Sequence, residues 1–222
     1  LFFVSPGQIN ALVPYSLTED YATFKVTNNG VSSSPVTVYA NNSSPAVFTL
    51  PPNGVSSAAA LHANFTPVNA SSPARRGETI LIYLTGLGTV RPTVADGAAA
   101  PSIPPFSTTT SKTTVLFLAK GGTTNDAGTV SFSGLAPGFV GLYQLNVQVP
   151  TTADIGAISL TIDTPEALNS EATIMVAAAA AGTNQKASIT DPQDSGYRPA
   201  HVPRLVDTKT SHPNGSRRPN DQ

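Results

Sequence analysis

Apolar and polar residues alternate with a period of two along most of the chain. Leu145, Val147 and Val149 fall on one face of an extended segment, with Gln144, Asn146 and Gln148 on the other. Val130 and Phe132 alternate with Thr129, Ser131 and Ser133, and Leu160 and Ile162 with Ser159 and Thr161. Ile80, Ile82 and Leu84 alternate with Leu81 and Tyr83, which are themselves apolar. That segment predicts a central strand covered on both sides. The pattern places strands near 45–50, 57–63, 78–85, 113–119, 128–133, 142–149, 157–163 and 171–177, with three more near 7–13, 21–28 and 34–40. Asn28-Asn29-Gly30 joins the last two as a hairpin, because Asn and Gly tolerate positive φ at little cost. No segment carries a capped helical period. Eight strands separated by turn signals predict an all-β chain, an antiparallel Ig-like β-sandwich complete over residues 45–177.

A second pattern is a repeat at an offset of 136 residues without a gap. Gln8-Ile9-Asn10-Ala11-Leu12-Val13-Pro14 corresponds to Gln144-Leu145-Asn146-Val147-Gln148-Val149-Pro150. The identical pairs are Gln8 and Gln144, Asn10 and Asn146, Val13 and Val149, Pro14 and Pro150, Phe3 and Phe139, Val4 and Val140, Ser34 and Ser170, and Thr37 and Thr173. Phe24 aligns with Leu160 and Val26 with Ile162. The repeated amides and prolines are expected to be structural, the amides bonding backbone at a sheet end or between domains. The second copy follows about ninety residues of strand-like sequence, the first only 1–7. Residues 1–44 are therefore expected to form a partial copy of the same unit. Either its other strands are cut off, or another chain supplies them by strand addition at an open edge. Leu1 falls inside a strand-like segment, which suggests a processed or truncated chain.

Composition narrows the function classes. Only 11% of the 222 residues are charged, yet 40% are apolar, enough for a core. Gly and Pro number 37 and Ser and Thr 49, so more than a third of the chain is turn-forming or hydroxylated. A net charge of −1 gives no electrostatic footprint for nucleic acid. No stretch reaches the roughly 18–20 apolar residues of a membrane helix. The absence of Cys excludes disulfides and thiolate metal sites. Residues 178–222 lose the periodicity and become rich in Pro, Asp, Asn, Ser and Arg, which predicts a flexible, disordered polar tail.

Candidate chemistry is sparse, and no cofactor or metal is implied. His62 is the only histidine before the tail, and no Gly-x-Ser-x-Gly elbow accompanies it, so it reads as a strand-end or loop residue. Glu78, Asp96, Asp126 and Asp154 are single acids in turns. Gly86-Leu87-Gly88 reads as a tight strand exit. Asn41, Asn42, Asn64, Asn69 and Asn214 head Asn-x-Ser/Thr strings, expected to be turns. Residues 86–111 form a long Pro-rich connection. They read either as an ordered crossover between the two sheets or as a candidate interaction loop, with Arg91, Pro92, Asp96, Pro101, Pro104, Pro105 and Phe106. Without Trp, an aromatic platform for sugar would fall to Tyr15, Tyr21, Tyr39 and Tyr83.

Five strings carry a family resemblance. They are Ser5-Pro6-Gly7-Gln8-Ile9-Asn10, Pro45-Ala46-Val47-Phe48-Thr49, Pro73-Ala74-Arg75-Arg76-Gly77-Glu78, Tyr83-Leu84-Thr85-Gly86-Leu87-Gly88, and the run from Gly134 to Pro150. In this order, over residues 1–177, the chain resembles an uncharacterised C-terminal domain family of exported acidobacterial (Solibacter-type) proteins. The resemblance implies a β-sandwich at the end of a large extracellular or cell-surface protein, and it implies no activity. Members carry strands before the Ser-Pro-Gly-Gln string that this chain lacks, and residues 178–222 depart from their pattern. The expected function is thus non-catalytic: a structural or adhesive module, self-associating through an open β edge or joined to the rest of a larger exported chain. The alternative is a polysaccharide-binding module using residues 86–111.

Overall fold

The computed structural model describes residues 3–17, 19–52, 55–120, 125–169 and 171–180. Residues 181–222 of the expected tail, together with Leu1 and Ser170, lie outside the described residues. Those described are all-β, with no helix among them. The N-terminal part contains β1 (Phe3–Ser5), β2 (Gln8–Asn10), β3 (Tyr21–Phe24), β4 (Thr27–Asn28), β5 (Val31–Ser32) and β6 (Val36–Tyr39). Next come β7 (Ala46–Val47), β8 (Thr49–Leu50), β9 (Ser57–Ala58), β10 (Ala60–His62), β11 (Ala74–Arg75), β12 (Thr79–Thr85), β13 (Val90–Arg91) and β14 (Thr108–Thr109). The last are β15 (Thr114–Phe117), β16 (Asp126–Leu135), β17 (Tyr143–Gln148), β18 (Gly156–Asp163), β19 (Leu168–Asn169) and β20 (Thr173–Ala177).

From β7 onward the strands belong to one sheet, ordered β10-β12-β17-β16-β15-β18-β20-β9-β8. Its ends approach each other in sequence and space. The Phe48 amide donates to the Tyr83 carbonyl, the Ala59 amide to Phe48, and the Tyr83 amide to Ala59, tying both ends to β12. The sheet is nearly closed, which protects its edges. Its pairs are antiparallel except two: β20 runs parallel to both β11 and β9. The purely antiparallel expectation is corrected there. Two-residue strands such as β11 carry no alternation, so their direction was not legible.

The core lies inside this sheet. Ile80, Ile82, Leu84, Val115, Leu145, Val147, Leu160 and Ile162 are all fully buried. Leu81 on the opposite face of β12 is also buried, as expected for a strand covered on both sides. β16 bulges between Val130 and Phe132, so the side-chain alternation is re-aimed there.

The N-terminal hairpin forms as its turn sequence dictates. Asn29 and Gly30 adopt φ of 48° and 80° between paired Asn28 and Val31. Further along, two residues on the first strand oppose three on the second, between the Thr27–Ser32 and Phe24–Val36 pairs. Pro35 lies in that bulge, where its missing N–H breaks no ladder bond.

Candidate functional site

The repeat is three-dimensional as well as sequential. In β18 and β20 the partners are Ala157–Met175, Ile158–Ile174 and Ser159–Thr173. In β3 and β6 they are Tyr21–Tyr39, Ala22–Val38 and Thr23–Thr37, the same register at the same 136-residue offset. In both copies the Gln side-chain amide donates to the Asn carbonyl oxygen two residues on, at 2.7 Å: Gln8 to Asn10 and Gln144 to Asn146. These amides thus bond one another rather than backbone, a correction to the expected partner. The local reason is the period of two, which puts both amides on one strand face.

What differs is cover. Leu145 and Leu160 are fully buried, whereas their counterparts Ile9 and Phe24 are 42% and 45% exposed. Ile174 is 2% exposed and Val38 is 42%. Ala172 is fully buried and Val36 is 60% exposed. In the second copy the cover comes from the strands of residues 46–135. Among the described residues no other set of such strands exists to cover the first copy. Among the described residues, Ala22, Phe24, Val36 and Val38 therefore present an unpartnered apolar sheet face, and β2 pairs with β1 alone. This exposed apolar face is the candidate interaction surface.

The N-terminal unit is held by short polar anchors. Asp96 accepts the Tyr15 amide at 2.6 Å and the Ser16 hydroxyl at 2.7 Å. These bonds, the Ser16 hydroxyl first, hold the Asp96 carboxyl below its ordinary range against a smaller opposing effect of desolvation. Glu166 likewise accepts the Asn42 side-chain amide at 2.5 Å and its backbone amide at 2.8 Å, and its carboxyl is lowered for that reason. Leu12 packs on Gly141, where a Cβ would overlap it. The Tyr143 hydroxyl donates to the Gly88 carbonyl beside Tyr15, and burial pushes its phenol well above the ordinary value. The link at 42–44 crosses Gly86 and Gly88 so closely that a Cβ on either would overlap its carbonyls.

The Asp96 bonds give a pH prediction with a fixed sign. A carboxyl lowered by folding stabilises the anchor above its unfolded pKa, and the stabilisation is lost as pH falls through the lowered value. The Tyr15 amide resonance should hold steady at neutral pH and move below the usual aspartate range toward its position in Asp96→Ala. A pH-independent Tyr15 resonance would show that the carboxylate is not the anchor.

The expected interaction loop is built differently from a free loop. Residues 86–111 contain the β13–β14 pair, with Arg91 opposite Thr108, and β14 joins β16. Pro92 accepts the Ser107 hydroxyl at 2.8 Å. Phe106 meets Phe132 edge to face at 6.4 Å. Pro104 and Pro105 are exposed and Pro101 half-buried. Asp96 faces the chain's own Tyr15 and Ser16. Beside this segment an open groove of about 520 Å³ is lined by Thr108, Thr109, Lys112, Thr113, Ser131 and Phe132, among others.

His62 has partners the sequence did not place. Its Nδ1 lies 2.5 Å from Glu78 Oε1, and its Nε2 lies 3.0 Å from the Ser72 hydroxyl and 3.1 Å from the Ser72 carbonyl. Pairing of β10 with β12 sets His62 opposite Ile80, two residues from Glu78, which was the legible signal. The order Ser–His–Glu resembles a hydrolytic relay. Yet the Ser71 and Ser72 amides both donate to Asn69 Oδ1, at 2.9 Å each, so neither is free to hold an oxyanion. Asn64 Oδ1 takes the Thr66 amide in the same way at 3.1 Å, so both Asn-x-Ser/Thr strings here are turns. Asp126, the first residue of β16, accepts the Thr152 hydroxyl, and Asp154 accepts the Lys120 amide. Their partners lie 26 and 34 residues away, so these acids tie separate segments together rather than serving their own turns, a correction to the expectation.

No protein-family model matches the sequence, and neither a curated protein nor a solved structure matches it.

Proposed function

We propose that this chain is a non-catalytic structural or adhesive module of an extracellular or cell-surface protein, assembling with protein partners through its N-terminal unit. The carrying observation is the repeat with unequal cover: the same strand register is buried in one copy and exposed in the other. In this reading residues 45–177 are a complete Ig-like sandwich and residues 1–44 part of a second one. Location outside the cell rests on the resemblance to the exported acidobacterial domain family. The consumed amides beside Ser72 support a structural rather than hydrolytic role for His62.

Sedimentation of the full chain over a concentration series tests this. Exposed apolar faces should drive association, and Phe24→Lys or Val38→Lys should weaken it by about tenfold or more, since a charge cannot be buried unpaired there. A chain that stays monomeric at every concentration would sink the reading. The second reading, polysaccharide binding, is favoured by Tyr21 and Tyr39. They are cross-strand partners on one face, 53% and 92% exposed. Glycan-array binding lost in Tyr39→Ala would turn the assignment to it.

A further inference from the structure

Among the described residues one flank of β2 carries no strand, and its backbone polarity can be read from the second copy. In the second copy β17 lies between β12 and β16. Tyr83 on β12 gives its amide to Ala59 and takes the Phe48 amide on its carbonyl, so its backbone faces away from β17. Its partner Gln144 must then bond toward β16, and the next residue, Leu145, toward β12. The Val149 amide donates to the Glu78 carbonyl, as this parity requires.

The first copy has the same parity. Ser5 and Gln8 are paired across the two-residue turn Pro6-Gly7, so the Gln8 backbone bonds toward β1. β1 therefore occupies the flank that β16 holds in the second copy. Ile9, the counterpart of Leu145, therefore turns its amide and carbonyl to the other flank. Ala11 and Val13, the counterparts of Val147 and Val149, follow at the next two positions of that parity, and a strand that extends β2 would meet them there. That flank is equivalent to the one β12 fills, and no strand lies on it among the described residues.

We infer that this flank binds an extended segment with the chemistry of β12: an uncharged, β-branched and aliphatic strand, apolar on both faces. It would pair antiparallel with residues 8–13. A second copy cannot donate its own β12, which is already paired with β10 and β17. The occupant is thus a β12-type strand of another module. This inference rests on the proposed assembly through the N-terminal unit, and names the partner for it.

The probe is a peptide of residues 78–86 of this chain, carrying solubilising lysines and a fluorophore, added to the full-length protein. Hydrogen exchange at Ile9, Ala11 and Val13 should slow by about tenfold or more at saturation. A scrambled peptide should bind at least about tenfold more weakly. Ala11→Pro removes an amide on the open flank from a residue outside the β1–β2 pairing, and should abolish binding. Binding to Ala11→Pro at wild-type strength, equal binding of the scrambled peptide, protection confined to other residues, or no binding up to the solubility limit would each overturn the inference. Association that Phe24→Lys relieves, without peptide binding, would leave the module standing and remove only this partner. Peptide binding by a strictly monomeric chain would do the reverse.

Discussion

Leu145→Ala should destabilise the protein by about 2–5 kcal/mol, while Ile9→Ala at the equivalent position should cost less than about 0.5 kcal/mol. The two residues share one place in a repeated strand, so propensity and neighbours along the chain nearly cancel in the comparison. The difference is cover. Leu145 is fully buried between strands paired on both sides, and truncating it leaves a cavity lined by groups that cannot collapse onto it. Ile9 loses methylene groups that water already reaches. Urea unfolding checks both: the midpoint should fall for Leu145→Ala at unchanged slope, and hardly move for Ile9→Ala. Equal losses would mean that the first copy is covered in solution. If the β12-type strand binds as inferred, its presence should make Ile9→Ala costly.

Gly86→Ala should be at least as severe, about 3–5 kcal/mol. Two effects add. Gly86 has φ of 79°, a conformation in which a Cβ crowds the following carbonyl at about 1–2 kcal/mol. The new Cβ would also overlap the Ser44 carbonyl, and backbone cannot yield as a side-chain end can. Moving it would break the Ser44 amide bond to the Gly86 carbonyl, 2.7 Å long, and disturb Ser43, whose hydroxyl donates to Thr164 in a buried pair. Gly97→Ala is the control. Gly97 has φ of 76° but nothing within 4 Å of a built Cβ, so only the conformational cost of about 1–2 kcal/mol applies. Thermal or urea unfolding of both variants separates the two effects. Similar losses would show that the link at 42–44 does not pass closely over Gly86.

Much of the fold was legible because alternation and turn chemistry are local. β12 reads as a double-covered strand from Ile80 to Leu84, and β17 as a one-faced strand from Leu145 to Val149. Asn29-Gly30 specifies its turn through positive φ alone. The two-residue strands β11, β13, β14 and β19 were not legible, since two residues carry no period. Those pairings depend on what the rest of the sheet brings alongside. The 86–111 connection shows the same limit. Its prolines mark it as irregular, but only the fold brings the exposed Asp96 against Tyr15 and Ser16 as their acceptor.

The sequence by itself determined that the chain is β, where its longer strands lie, and that residues 8–40 repeat residues 144–176. Side-chain alternation and the 136-residue offset need no tertiary information. The tertiary structure alone decided which copy has a core. Ile9 and Leu145 sit in matching patterns, and a strand's apolar face is buried only when other strands close over it. Those strands come from residues 46–135, far away in sequence, and they close over one copy and not the other.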